Sequence, residues 1–554
     1  MITLNADNTS LVLLVLPVPF LLDAKKLWTD GRYFTQAEGQ ISSDITLMKQ
    51  GVSGVPTILE FLKEHLQEGD TLGVNGFTIS ASYGKKIAKL VKQHGASFRF
   101  DLRFVEELWA KDDRPAITKS TIYRHDIKYS GEHTDSKLAR VREKMKELDA
   151  NAFFLSSLPD IAWLFNLRGD DIACTPLFYS YAWITIDKCF LFLRKDCISA
   201  VAFQRFKEHG ISILDYTEVS AFLKDQHETV LLNPDLTNYL HYNLLFKCKI
   251  IEDKNPTELM KAIKNDIQID HLKACHINDG IAMTKFMYWL KKNVGKIPMT
   301  ERMISDHLEE ERKKLPDYMG PSFETICAYK DHAAMMHYQS TEESDVDVKA
   351  EGMLLIDSGG QYYGGTTDVT RTFILGPISE ERKYFTLVLK SMLTLANAKF
   401  LFGCRGSNLD ILAREPLWED GVDYRCGTGH GVGYFLGVHE GPNAFRWRSN
   451  PENLDAVLQP GMVITDEPGV YVPGKYGIRT ENMLICKKWQ QNEYGAFLHF
   501  EPLTLVPIDL DGVDLSLFNE KEKQLLTDYQ QFVYDTLSPH LNEEESAWLH
   551  TLTL

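Results

Sequence analysis

Apolar residues recur at spacings of three, four and three along residues 138–148, at Leu138, Val141, Met145 and Leu148. That is one face of a 3.6-residue period and predicts a helix starting near Thr134 or Asp135. Elsewhere in the first half, short apolar runs alternate with helical patterns. TLGVNG (71–76) and AFFLSS (152–157) predict strands, and SYGKKIAKLVKQHG (82–95) predicts a helix closed by a glycine. PDIAWLFNLRG predicts a helix with proline at its start and Gly169 after its end. YAWITIDKCFLFL (181–193) predicts two strands around Asp187 and Lys188. TVLLNPDLTN (229–238) echoes TLGVNGFTIS (71–80), each with Thr and Asn four apart, so two small α/β units repeat. Residues 110–134 are polar with little periodicity and predict a linker. The run LVLLVLPVPFLL (11–22) is too short for a membrane helix, is broken by Pro17 and Pro19, and has no Lys or Arg before it. It predicts a buried strand and turn, and no other stretch approaches a membrane span.

The pattern changes near residue 265. Long helical segments at 271–294 and 300–315 come first; from about 323 the chain is β-rich, with glycine turns and clustered His, Asp and Glu. Helical patterns near 381–415 and 519–537 interrupt and close this part. The expected organisation is a first α/β domain over 1–130, a second over 131–264, and a large α+β domain over 265–554.

Composition narrows the classes. The 554 residues are 44% hydrophobic and 25% charged, an ordinary globular balance. A net charge of −17 argues against nucleic acid as partner. Nine scattered cysteines without CxxC spacing are no disulfide framework and fit a reducing, cytoplasmic compartment.

The candidate chemistry lies in the β-rich part. In LLIDSGGQYYGGTTDVTRTF (354–373) an apolar run stops at Asp357, a glycine-rich turn follows, and Asp368 sits among alternating threonines. A hairpin centred near Tyr362 and Tyr363 would set the two acids opposite each other. Two close carboxylates repel unless a proton or a cation lies between them. Three further groups interrupt apolar segments: His430 in GTGHGVG, Glu467 in TDEPGVY, and Glu481 in YGIRTEN, with Arg479 beside it. Buried carboxylates need partners or a metal. Four acids and one imidazole form a hard, oxygen-rich set that favours manganese over zinc, and four acids exceed what one ion needs. Two ions sharing carboxylates is the economical reading.

DSGGQYYGGTTDVTRT, GTGHGVGYFLGVHEGP, TDEPGVY and YGIRTEN closely resemble the motifs of the Xaa-Pro aminopeptidases, pita-bread metallopeptidases akin to prolidase and methionine aminopeptidase. LWTDGRYF (27–34), LMKQGVSGVPT (47–57), IAWLFNLRGDDI (161–172) and FEPLTLVPID (500–509) extend the resemblance over most of the chain, to the three-domain cytosolic type. It implies two creatinase-like N-terminal α/β domains before a pita-bread catalytic domain. It also implies two Mn²⁺ ions held by Asp357, Asp368, His430, Glu467 and Glu481, with Asp368 and Glu481 bridging. The implied reaction removes the N-terminal residue from peptides with proline second, through a hydroxide bridging the ions and with Glu467 as general base. His337 and His439 match family histidines that contact substrate or assist the reaction, and Arg479 is a charge that orients an acid. The family's three-domain members are often homodimers. Alternatives are a prolidase-like dipeptidase, or a catalytically weakened pita-bread protein that acts as a scaffold.

Three departures stand out. Cys426 occupies a position where the family usually has a histidine near the substrate. Only about 26 residues precede LWTDGRYF, which predicts a truncated first domain. In AYKDHAAMMHY (328–338), Lys330, Asp331 and His332 stand where the family commonly has Gly and Asn; His332 has no motif match and is expected to be structural.

Overall fold

The computed structural model describes residues 2–6, 9–13, 25–103, 109, 121–198, 206, 209–448 and 455–553. The chain divides into two compact units. One comprises Met1–His125, Glu132–Ile172 and Leu177–Thr257; the other comprises Asp126–Gly131, Ala173–Pro176 and Glu258–Leu554.

In the first unit, Ile2–Ala6 and Thr9–Leu13 form an antiparallel hairpin. The predicted strand and turn at 11–22 therefore falls partly on a strand, and its remainder lies outside the described residues. Lys25–Thr29 pairs in parallel with Ile45–Lys49, and Thr71–Gly73 with Ser97–Arg99. The helix Ala81–Gln93 turns Ile87 and Val91 onto Trp28, Phe61 and Leu72, its N-terminus capped by the Ser80 hydroxyl. A six-stranded mixed sheet follows, in the order Ile211–Asp215, Cys189–Leu193, Ser180–Thr185, Ala152–Leu155, Thr229–Leu232, Lys249–Glu252. The helix Thr134–Glu147 buries Leu138, Val141 and Met145, as their spacing requires.

The sequence echo is structural. Asn75 and Asn233 each follow a strand and accept, through the side-chain oxygen, the backbone N–H two residues on. Each segment then enters a helix, capped by Ser80 or Asn238. The two copies pair across a near two-fold relation: Ala81 N–H donates to Thr237 at 2.8 Å and Tyr239 N–H to Ile79 at 2.9 Å.

Two local expectations change. The helix predicted to run to Gly169 spans Leu158–Phe165 and ends on Asn166 in the left-handed region, because Leu167–Arg168 pairs with Tyr123–Arg124. Asn tolerates that conformation better than most residues. The same pairing puts a strand inside the predicted linker, which also holds the short helix Ile127–Ser130; residues 110–120 lie outside the described residues.

The second unit is built around the helix Asp266–Asn293, opened by a capping box between Asn265 and Gln268. Helix Glu301–Lys313 packs beside it over Leu354, Ile356 and Phe373. Two sheets form the platform. One has the order Ile326–Tyr329, Met353–Ser358, Val369–Ile374; the other has Lys399–Leu401, Gly495–Pro502, Asn482–Asn492, Val463–Asp466. Helices Glu380–Ala396 and Glu520–Leu537 cover them. Among the described residues no helix is long and apolar enough to cross a membrane.

Candidate metal centre

Each candidate acid sits at a strand end, where alternation gives way to a turn. Met353–Ser358 and Val369–Ile374 pair with Asp357 opposite Thr370 and Ser358 opposite Val369. Asp357 and Asp368 are thus diagonal neighbours, not directly opposed as the hairpin reading supposed. Between them Gln361–Tyr362 and Gly365–Thr366 make a tighter inner hairpin. Gly359 permits this turn, since a Cβ there would lie 1.9 Å from the Thr367 carbonyl oxygen. Glu467 follows Val463–Asp466, and Glu481 precedes Asn482–Asn492. The Glu481 N–H donates to Thr370 at 3.1 Å, tying the two sheets together at the site.

Side chains of Asp368, His430 and Glu481 converge, with one ligand atom of each within 4.8 Å of the others. His430 Nδ1 donates to the Gly431 carbonyl at 3.0 Å, so Nε2 is the nitrogen turned to the acids. It lies 3.3 Å from Glu467 Oε1 and 3.6 Å from Asp368 Oδ2. Asp357 is held by Arg479, whose Nη2 stands 2.5 Å from Oδ2. His439 is exposed and packs edge-on against His430 with ring centroids 4.2 Å apart. His337 is half-buried and follows Met336, whose carbonyl accepts from Arg479 at 3.4 Å. Cys426 is half-buried; its carbonyl accepts from Arg414 at 2.7 Å.

Burial pushes the Asp368 carboxyl well above its ordinary value, and Asp357 and Glu467 push it further. Burial likewise raises Glu481, with Asp368, Glu467 and Asp357 adding to it. Burial opposes the charge on Arg479, but Tyr471, Asp357 and Glu467 outweigh it and hold the guanidinium charged. Asp357 Oδ1 is buried and, among the described residues, has no hydrogen-bond partner. Crowded, buried carboxylates with a bare oxygen and an imidazole lone pair suit divalent cations, so the residues fit the expected ions.

Several neighbours escaped the sequence reading. Thr370 Oγ1 donates to Glu481 Oε2 at 2.7 Å and accepts from Arg479 Nε at 3.0 Å. Thr465 Oγ1 donates to Glu467 at 3.0 Å and accepts the His430 N–H at 3.0 Å. Tyr471 OH accepts from Arg479 at 2.7 Å. The signal was present: each threonine lies two residues from an acid and so shares its face of the strand. His332 is structural, as expected, bonded through Nδ1 to Glu301 at 2.9 Å.

Residues 270–488 match the model of metallopeptidase family M24. Residues 113–268 match the creatinase/prolidase N-terminal domain, and 496–554 the C-terminal region of the same peptidases. A protein named as a probable Xaa-Pro aminopeptidase P in Paracoccidioides brasiliensis is 36% identical, over 94% of this chain and 88% of its own length. One of the same name in Laccaria bicolor is 36% identical over 95% and 84%. The fold is similar to an X-prolyl aminopeptidase from Caenorhabditis elegans, described as a cytosolic enzyme with a di-nuclear active site. There the TM-score is 0.91 at 34% identity, covering 97% of this chain and 89% of that one. An Xaa-Pro dipeptidase from Bacillus anthracis, 23% identical with a TM-score of 0.54 over 68% of this chain and 99% of its own, shares the fold. The chain belongs to metallopeptidase family M24, with a creatinase-type N-terminal region ahead of its pita-bread catalytic part.

Proposed function

We propose that this chain is a proline-specific aminopeptidase that removes the N-terminal residue from peptides with proline second. One observation carries the reading: Asp368, His430 and Glu481 converge within 4.8 Å beside an Asp357 oxygen that lacks a hydrogen-bond partner among the described residues. The relatives named above support the substrate class. Asp357, Asp368, His430, Glu467 and Glu481 would hold two divalent cations, and the oxygen-rich donor set favours Mn²⁺. When bound, such ions polarise the scissile carbonyl and make water nucleophilic near neutral pH.

The chain's own groups do the rest. The Glu467 side chain is 21% exposed, more than those of Asp357 and Asp368, and it faces His430. Glu467 is placed to take the proton of the attacking water and pass it to the leaving proline nitrogen. Thr465 fixes one Glu467 oxygen, and Arg479 fixes Asp357. His439 and His337 supply donors to the carbonyl oxygen as it gains charge. The scissile amide carries no N–H, so the site asks for no acceptor there.

A catalytically weakened scaffold finds no support, since Asp368, His430 and Glu481 converge and the relatives carry an enzyme's name. We also propose a division into domains at 1–130, 131–264 and 265–554, a cytoplasmic location and a homodimer. Scattered cysteines without CxxC spacing support the location, and exposed Phe532 on the helix Glu520–Leu537 offers apolar surface for a dimer. The test is Mn²⁺-loaded protein on a tripeptide with proline second, the same peptide with alanine there, and the Xaa-Pro dipeptide. Selective cleavage of the proline tripeptide is expected. Equal cleavage of the alanine peptide contradicts proline specificity, and cleavage of the dipeptide alone identifies a dipeptidase.

A further inference from the structure

Arg371 is buried, and its hydrogen bonds go to neutral acceptors. Its Nη1 donates to the carbonyls of Thr370 at 2.9 Å and Glu481 at 2.5 Å. Its Nη2 donates to Asn482 Oδ1 at 2.8 Å, the Val506 carbonyl at 2.7 Å and Tyr529 OH at 2.9 Å, and its Nε to Pro507 at 3.2 Å. No carboxylate is among these partners. Among the acids, only the charge of Glu481 attracts the guanidinium, from beyond hydrogen-bond reach; desolvating it there is costly, and an apolar residue of similar volume would usually be cheaper. What the charge provides is position. Alternation along Val369–Ile374 sends Thr370 toward the acids and Arg371 to the opposite face, where it reaches the backbone of Glu481.

Glu481 is therefore gripped twice. Thr370 holds its carboxylate at 2.7 Å, while Arg371 holds its carbonyl and the side chain of the next residue. The far end of the grip is Tyr529, on the helix Glu520–Leu537. Its hydroxyl accepts from Arg371 and donates to the Val506 carbonyl at 2.8 Å. We infer that Arg371 and Tyr529 form a brace through which the helix Glu520–Leu537 sets the position of Glu481 for metal binding. The inference rests on the reading of Glu481 as a metal ligand. Arg371 and Tyr529 are positioning residues: their hydrogen bonds go to the Glu481 carbonyl, Asn482 and neighbouring carbonyls, not to the carboxylates.

The test is Mn²⁺ binding to the full chain, stripped with a chelator and titrated against a metal-sensitive dye, alongside thermal unfolding. Tyr529→Phe removes one hydroxyl and keeps the packing; Arg371→Lys keeps the charge and loses the fork. Leu526→Val trims the core face of the same helix without touching the brace and controls for stability. The brace predicts about tenfold weaker binding of at least one ion in Tyr529→Phe and Arg371→Lys, and unchanged binding in Leu526→Val. Wild-type affinity in Tyr529→Phe, or equal weakening in Leu526→Val, overturns it. If Arg371→Lys does not fold, Tyr529→Phe decides. A wild-type chain that takes up no ion overturns the reading of the site and the brace with it.

Discussion

Arg479 and Asp357 form a buried ion pair, Nη2 to Oδ2, at 2.5 Å. The same guanidinium donates to Tyr471 and Thr370, so one side chain orients an acid, a phenol and the threonine that holds Glu481. Removing it leaves a buried carboxylate uncompensated. Arg479→Met should destabilise the metal-free protein by about 3 kcal/mol, measured by urea denaturation. Arg479→Lys should recover part of the stability but not the metal content, because an ammonium cannot reproduce the planar fork.

Cys426 borders Tyr424 and Tyr471; burial pushes both phenols well above their ordinary value, and the Cys426 sulfur adds to it. A thiol supplies no cation near neutral pH, whereas an imidazole can. Cys426→His should raise kcat/KM on a tripeptide with proline second by about tenfold, equivalent to roughly 1.4 kcal/mol of barrier. An unchanged value would mean that another group already fills the role.

The turn that leads to His337 depends on pH through His332. Its imidazole pKa is raised above 6.5, chiefly by the hydrogen bond to Glu301, with further help from the charges of Glu301 and Asp331. Glu301 also accepts from the Tyr329 N–H and Tyr338 OH, so the pair anchors the whole segment. A raised folded pKa means that the stabilisation is complete below the unfolded value of 6.5 and fades as pH climbs through the folded one. His332→Gln should flatten the stability difference between mildly acidic and alkaline pH in chemical denaturation. A difference that persists would place its origin elsewhere.

Lys330 adopts φ +53°, a left-handed conformation that glycine takes without strain. Its ion pair with Glu351 is solvent-exposed and returns little. Lys330→Gly should leave stability within about 0.5 kcal/mol of wild type, the strain relieved offsetting the added chain entropy. Lys330→Val should cost more than about 1 kcal/mol, since a β-branched side chain suits that conformation worst. Urea denaturation of the two variants checks both values.

Much of this architecture is legible in local pattern. The acid-bearing hairpin shows itself as an apolar run, a glycine turn and an alternating return strand, because alternation and turn chemistry are written within twenty residues. Long helices are equally plain, since Leu138, Val141 and Met145 need only one buried face. Non-local pairing is hidden. Nothing near Asn166 announces that Leu167 will pair with Arg124, so the helix end was displaced. The polar residues that aim the ligands were also missed: Thr370 and Arg371 resemble ordinary strand residues until Glu481, more than a hundred positions away, supplies their partner, whereas Thr465 holds an acid only two residues on.

The central claim is that five side chains hold a pair of cations and that the pair is required for cleavage. Metal-stripped protein titrated with Mn²⁺, with bound ion and cleavage of the proline tripeptide followed together, tests it most directly. The account predicts that uptake saturates at two ions per chain and that full activity appears only as the second site fills. Saturation at one ion with full activity, or cleavage by the stripped protein, would contradict it.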